Sequence, residues 1–179
     1  MAVTKTSFSF QKARIVYDGT VHFCRRFFVR HDRTVGQMVQ AARSGKQNNL
    51  EGSRASGTSK QTEIKLTNVA RASLEELLED YRDFMRGRGI IEWSKNHPHA
   101  RRLSQLRRTS NASYDTFRKG IEHPDPAIAA NVMIGLLKLT NFLLDRQLRH
   151  LEEAFVKEGG LREPMTRARL AERAKGRRP

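Results

Sequence analysis

The chain has 179 residues, with 34 lysines and arginines against 19 aspartates and glutamates, so its formal net charge is +15. This length favours one domain with attachments and disfavours a two-domain enzyme that carries its own cofactor domain. So positive a charge indicates a polyanionic partner: RNA, DNA or an acidic protein surface. Cys24 is the only cysteine, which excludes an intramolecular disulfide framework and a zinc site built from several cysteines.

Apolar residues at three- and four-residue steps predict two helices in the N-terminal third of the chain. The first covers residues 8–30 and places Cys24 on its apolar face, where we expect a buried thiol. The second covers residues 33–50, with Asp32 as its N-cap. Gly45 is expected to weaken the middle of this second helix, because glycine is a poor helix former.

A loop rich in glycine and serine separates these helices from the third one. It covers residues 52–59, and Thr58 or Ser59 is expected to cap the helix that follows. That helix shows the clearest apolar periodicity in the chain. It is expected to end at Gly87 and Gly89, because glycine commonly terminates helices.

Residues 90–125 form a less regular insert, in which only a short basic helix over residues 99–108 is predicted. Asp125 and Pro126 then indicate a helix start, with an N-cap followed by proline in the first helical position. The last long helix extends to Glu158. Its first half is apolar on most sides, which predicts burial on more than one face, and we expect part of that surface to form subunit contacts.

The four long segments predict an all-α fold, because no segment shows strand alternation between hairpin turns. We expect an antiparallel four-helix bundle over residues 1–160, including the insert, and a basic tail over residues 161–179. The N-terminus lacks the apolar core of a signal peptide, and no uninterrupted apolar run approaches the roughly 20 residues that span a bilayer. These features favour a soluble, cytoplasmic protein.

The chain shows no convincing catalytic or metal-binding pattern. Its six histidines form no HxxxH or HExxH pair, so we predict neither a metal site nor a cofactor. Glu63 and Lys65 are similar to the end of a metal-nuclease motif, but they lie in a predicted helix and are better explained as a surface ion pair. We therefore expect no enzymatic activity and no catalytic residues.

The positive charge is concentrated in three regions that could contact phosphates. They lie on the first two helices, in the insert and in the tail, whereas the third and fourth long helices are close to neutral. A solvated basic surface is the alternative for each region. The candidate nucleic-acid-binding residues are Arg25, Arg26, Arg30, Arg43, Lys46, Arg101, Arg102, Arg107, Arg108, Arg167, Arg169, Arg173, Lys175, Arg177 and Arg178.

Part of the second helix resembles a signature of the bacterial four-helix-bundle proteins, which are relatives of the ribosomal RNA intervening-sequence protein. Ser44, Asn48, Glu51 and Gly52 have the residue types and spacing of that signature. The glycine and lysine at positions 45 and 46 depart from the isoleucine and proline that are usual there. We interpret Glu51 and Gly52 as a structural cap pair at the end of the helix, in preference to a ligand or subunit contact.

The likeness extends over about residues 10–165. Residues 69–77 resemble the next helix of that family, and residues 87–162 resemble the extension called the four helix bundle suffix domain. The residues that carry this second likeness are Arg88, Gly89, Trp93, Ala130, Asn131, Leu144, Asp145, Arg146, Gln147, Leu148, Phe155, Glu158, Gly159 and Gly160. The resemblance implies a closed four-helix bundle without enzymatic activity, in proteins that form ring-like pentamers. A more distant likeness is to the accessory variability determinant of diversity-generating retroelements, a basic pentamer that binds reverse transcriptase and nucleic acid.

Charge and resemblance together favour a non-enzymatic, oligomeric accessory protein that binds RNA or DNA through its basic surface, with a homopentamer as the favoured assembly. The second hypothesis is a protein-interaction scaffold for a partner such as a reverse transcriptase, in which the apolar last helix and the charge both serve proteins. The third is a nuclease that depends on Glu63. The sequence does not identify the nucleic acid, the partner or the pathway.

Overall fold

The computed structural model describes residues 8–107 and 112–158, together with positions 166, 169–170 and 172–173. Within these residues the fold is all-α, with four long and two short α-helices and no strand. This confirms the predicted fold class. The helices are α1 (Phe8–Phe27), α2 (Arg33–Ala55), α3 (Lys60–Arg86), α4 (Pro98–Arg107), α5 (Tyr114–Ile121) and α6 (Pro126–Glu158).

Helix caps occur where the sequence predicts them. Asp32 accepts the backbone N–H two residues later at 2.8 Å, and Ser59 accepts the one three residues later at 3.2 Å. Asp125 does the same for α6 at 2.8 Å. Each of these bonds satisfies a donor that has no partner inside its helix. Gly87 and Gly89 end α3, and Gly89 has a φ of 63°, the left-handed conformation that favours glycine.

The predicted end of the second helix is wrong. α2 continues to Ala55, so the connection to α3 is shorter than the predicted loop of residues 52–59. Gly52 is therefore a buried residue inside the helix, and Glu51 beside it is exposed. The two residues do not form the cap pair that the sequence suggests.

Gly45 and Gly52 instead allow α2 to pack closely against α3. A Cβ added to Gly52 would lie 3.2 Å from Thr67 Oγ1, and a Cβ added to Gly45 would collide with the buried side chain of Leu74. A glycine inside a helix costs roughly 0.5–1 kcal/mol relative to alanine. Here the close contact between the two helices explains why glycine is present at both positions.

The core lies between α1, α2, α3 and α6. α1 packs against α2 and α6, and α3 packs against the same two helices. Cys24 is buried on α1 with its Sγ 3.9 Å from Met38 Sδ, and burial raises the pKa of its thiol to about 12. The expectation of a core thiol is confirmed.

α4 and α5 form a second layer over the first half of α6. Both helices pack on α6, and α5 also packs on α1. A Cβ on Gly135 would collide with Leu103, and one on Gly120 would lie 2.9 Å from Val132. The prediction that α6 is buried on more than one face is therefore correct, but the insert supplies the second covering. Most of the apolar surface of α6 that was expected to form subunit contacts is therefore buried within the chain.

α6 is also long and apolar enough to cross a membrane by length and composition alone. The same test is passed by the core helix of a soluble protein. In this fold 61% of the most apolar window of Pro126–Lys157 is buried against the rest of the chain. Its apolar character is thus largely used in internal packing.

Candidate nucleic-acid interface

Arginines are grouped at the end of the molecule where α1 finishes and α2 begins. Arg25 and Arg26 occupy the last turn of α1, Arg30 follows it, and Arg33 opens α2. All four are exposed, and none makes an ion pair with a carboxylate of the described residues. We refer to these four residues together with Arg88 as the basic end.

Arg88 lies at the basic end although it belongs to the turn after α3, and not to α1 or α2. Its Nη2 donates to the backbone oxygen of Phe27 at 3.2 Å, and its guanidinium carbon lies 3.8 Å from the centroid of the Phe84 ring. A cation–π contact at an exposed site contributes about 0.5–1 kcal/mol, so this arginine is held beside the end of α1. Sequence reasoning missed it as a binding residue because its flanking glycines indicate a helix stop. One signal in the sequence could have identified Arg88: it follows a helix directly and has no acidic residue beside it.

An aromatic cluster beneath the basic end fixes α1 against α3. Phe23 is fully buried, and its ring centroid lies 4.8 Å from those of Tyr81 and Phe84 and 4.9 Å from that of Phe27. Tyr81 Oη donates to Thr20 Oγ1 at 3.1 Å, which satisfies the buried hydroxyl. Aromatic pairs at these distances add to the stability gained from area burial. The cluster therefore positions the backbone that carries the arginines.

The structure does not bring every predicted basic residue to this end. Arg43 is exposed on α2, and the half-buried Lys46 places its Nζ 3.8 Å from the ring centroid of Tyr17 on α1. Lys46 thus contributes to the contact between α1 and α2. Arg101 and Arg102 are exposed on α4, in the layer over α6. The basic residues of α2 and of α4 therefore lie on surfaces that are separate from the basic end.

The remaining candidates lie at the edge of the described residues or beyond it. Arg169 and Arg173 are described, and both are exposed. Binding by the tail as a whole stays a prediction. The candidates outside the described residues are Arg108, Arg167, Lys175, Arg177, Arg178 and the side chain of Arg107.

Arginines on the flank formed by α3 and α6 have acidic partners. Arg71 pairs with Glu75 on its own helix at 2.6 Å and with Asp145 on α6 at 3.5 Å. Near the other end of α3, Arg82 pairs with Glu79. We refer to this surface as the paired flank, because its positive charge is neutralised within the fold.

Glu92 extends the paired flank into the insert. It accepts hydrogen bonds from Arg82 at 3.2 Å and from Lys138 on α6. Burial alone would raise the pKa of Glu92, but the bonds from Lys138 and Arg82 hold it below its ordinary value. The carboxylate is thus charged at neutral pH and joins α3, the insert and α6.

Two residues of the family-like signature, Ser44 and Gly52, contact α3, while Asn48 bonds within α2. Asn48 Nδ2 donates to the backbone oxygen of Ser44 at 2.9 Å, and Ser44 Oγ lies 2.9 Å from Ser73 Oγ on α3. Gly52 provides the close approach described above. These positions therefore have structural roles in helix packing, apart from the exposed Glu51.

Glu63 does not form the surface ion pair that the sequence suggests. It is buried in the first turns of α3 at 8% exposure, whereas Lys65 is exposed. Burial raises the pKa of its carboxyl group. No group of three or more histidine, cysteine, aspartate or glutamate side chains that could hold a metal occurs in the described part of the chain. Among the described residues, Glu63 is therefore not part of a carboxylate cluster.

Comparison of the chain with known proteins gives no match. No family model matches the chain, and neither a curated protein nor a solved structure matches it. The resemblance to the bacterial four-helix-bundle proteins stays a prediction from the sequence. The basic end and the paired flank are therefore the features from which a function is inferred.

Proposed function

We propose that this chain is a non-enzymatic accessory protein that binds RNA or DNA through the basic end. The observation that carries the proposal is the convergence of exposed arginines from α1 and α2 without carboxylate partners among the described residues. An exposed arginine without an internal partner can replace a counterion on a phosphate backbone. Asp32 lies between Arg30 and Arg33 in the chain, but its carboxylate accepts the backbone N–H of Thr34 and forms no ion pair among the described residues.

The proposed scaffold is an antiparallel four-helix bundle of α1, α2, α3 and α6. Each of these helices packs against two of the others, so the four form a closed ring of contacts. Ser9 at the start of α1 donates to Gln147 in the second half of α6 at 2.9 Å. Gly19 in the second half of α1 lies beside Met133 in the first half of α6. This order of contacts supports opposite directions for α1 and α6.

We also propose, from the resemblance, that the protein works in the cytoplasm as a homo-oligomer, with five protomers expected. The described surface of α6 gives little support for this or for the scaffold hypothesis. Its exposed large apolar side chains are Phe142 and Val156, which lie about 21 Å apart along the helix axis. Multi-angle light scattering at micromolar concentration is expected to give the mass of five chains, and a monomer would contradict the pentamer.

The salt dependence of binding tests the main proposal. Binding of the full chain to a structured RNA and to duplex DNA is measured by fluorescence anisotropy at rising salt concentration. If the basic end neutralises about four phosphates, the slope of log K against log salt is expected to be at least about 3 in magnitude. Equal affinity at about 50 mM and about 500 mM salt would contradict phosphate binding.

A further inference from the structure

A cavity of about 420 Å³ lies between α4, α5 and α6. None of the residues of the basic end lines it. Small-molecule sites usually have volumes of roughly 300–1,000 Å³, so this space is large enough for a ligand. The insert creates it, because α4 and α5 supply two of its walls.

The inner wall of the cavity is apolar and aromatic. Leu103, Phe117 and Val132 are buried at 8%, 2% and 7% exposure, and the half-buried Trp93 adds an indole ring. The backbone N–H of Trp93 donates to Asn131 Oδ1 on α6 at 2.7 Å, which fixes the start of this wall. Because Phe117 is almost fully buried, the accessible aromatic surface of this wall is the half-buried indole of Trp93, which stacks on His97 with ring centroids 4.9 Å apart.

The rim of the cavity is positively charged. Arg102 on α4 and Lys119 on α5 are exposed residues that line it, as is the exposed His99, whose ring centroid lies 5.2 Å from that of Trp93. Asp115 is the acidic residue among the lining side chains, and it is paired with Arg118 Nη2 at 2.6 Å. The charge that remains at the opening favours an anionic group.

His123 adds a hydrogen-bond donor to the same cavity. Its Nδ1 accepts the backbone N–H of Asp125 at 3.0 Å. An imidazole whose Nδ1 accepts a hydrogen bond has Nε2 left to donate to a ligand. The cavity thus combines a planar apolar wall, two cations and a hydrogen-bond donor.

We propose that this cavity binds one nucleotide, with its base against the indole of Trp93 and its phosphate at Arg102 and Lys119. The apolar wall matches the face of a base, and the cationic rim matches a phosphate. This proposal rests on the proposed function, because the nucleotide is either free or an unstacked position of a bound single strand. It assigns the binding of a base to a part of the chain distinct from the basic end.

Trp93 is the only tryptophan in the chain, so its fluorescence reports on the cavity directly. Titration with adenosine monophosphate is expected to quench this fluorescence to saturation. Adenosine lacks the phosphate and ribose 5-phosphate lacks the base, so each is expected to bind at least about tenfold more weakly. A short oligoadenylate that quenches as well as the monophosphate indicates a nucleotide within a strand, whereas quenching by the monophosphate alone indicates a free nucleotide.

Two exposed arginines, Arg102 on α4 and Arg149 on α6, provide a matched pair of variants. Arg102→Gln removes a cation from the rim and is expected to weaken binding of adenosine monophosphate by about tenfold. Arg149→Gln removes the same charge from an exposed residue of α6 that does not line the cavity, and it is expected to leave this affinity unchanged. Because both side chains are exposed, circular dichroism is expected to show the wild-type helical content in both variants.

Three results would overturn the proposal: no saturable quenching by adenosine monophosphate, equal binding of adenosine, or equal losses from the two variants. Salt-sensitive RNA binding without nucleotide binding would refute the cavity site and leave the basic end in place. Nucleotide binding with salt-insensitive RNA binding would refute the proposed function and leave the cavity site in place. The two failures are therefore distinguishable.

Discussion

The basic end and the paired flank carry the same residue type in opposite electrostatic settings. On the flank, Arg71 and Arg82 have carboxylate partners on their own helix and on neighbouring elements. At the basic end, Arg25, Arg26 and Arg30 have no such partners among the described residues. Positive charge is therefore available to a partner at the basic end, whereas carboxylates neutralise it on the paired flank. The number of arginines alone would not have distinguished the basic end from the paired flank.

The largest expected effect concerns the aromatic support of the basic end. Replacing the fully buried Phe23 by alanine is expected to lower the free energy of unfolding by about 3–5 kcal/mol, because it opens a cavity among packed rings. Urea denaturation monitored by circular dichroism measures this change. The control is Phe142→Ala on α6, where the side chain is 55% exposed and a change within about 0.5 kcal/mol is expected. Equal losses in the two variants would show that the cluster does not stabilise this end.

Lys12 presents a third setting for a positive charge. It is 1% exposed, and its Nζ has no hydrogen-bond partner in the described part of the chain and lies 4.9 Å from the ring centroid of Phe8. Burial lowers its pKa. Because an unpaired buried polar group costs about 1–3 kcal/mol, Lys12→Met is expected to raise the free energy of unfolding by a similar amount. The exposed Lys65→Met is the control and is expected to change little.

The pH dependence of this gain is a second test of Lys12. The folded protein loses the proton of Lys12 at a lower pH than the unfolded chain does, so wild-type stability rises between the lowered pKa and the ordinary value of 10.5. The advantage of Lys12→Met is therefore expected to be full at neutral pH and to shrink as the pH approaches 10.5. Denaturation curves across this range measure it, and an advantage that grows with pH would contradict the buried charge.

The smallest expected effect separates a paired arginine from an unpaired one. Arg82→Gln removes contacts with Glu79 and Glu92 and is expected to destabilise the fold by at most about 1 kcal/mol, less at high salt. Arg26→Gln removes an exposed arginine without an ion pair and is expected to change stability by less than about 0.5 kcal/mol. Thermal unfolding at low and high salt measures both. A larger loss from Arg26→Gln would mean that the basic end has a structural role.

Much of the fold follows from periodicity and capping residues in the sequence. Asp32, Ser59 and Asp125 were identifiable as caps because their side chains serve local backbone donors, a relationship that short-range sequence contains. α5 was not predicted, since its buried side chains are limited to Phe117 and Ile121 in eight residues. A helix this short is stable only through packing, and the partner surface on α6 is not visible in its own sequence.

The glycines of α2 and the arginine after α3 show where sequence reasoning fails. Helix propensity disfavours Gly45 and Gly52, but the close packing of α2 against α3 depends on residues of another helix. Arg88 joins the basic end by donating to the backbone of Phe27, which lies 61 positions earlier in the chain. By contrast, Arg25 and Arg26 were identified from charge alone, because adjacent arginines at a helix end are exposed in most packings.

The most direct measurement is the change in salt dependence when the basic end is neutralised. The variant Arg25→Gln, Arg26→Gln, Arg30→Gln loses three exposed positive charges at one end of α1. Each phosphate contact contributes about 0.9 to the slope of log K against log salt. Loss of three contacts is therefore expected to reduce the slope for RNA or DNA by about 2.7 and to weaken binding at low salt.

The matched control removes three exposed positive charges from the opposite ends of the helices: Arg54→Gln in α2, Lys65→Gln in α3 and Lys157→Gln in α6. Both variants have the same net charge, so a difference between them depends on position alone. We expect the control to keep the wild-type slope within about 1, while the basic-end variant loses most of it. Equal slopes and affinities for the two variants would contradict the assignment of nucleic-acid binding to the basic end.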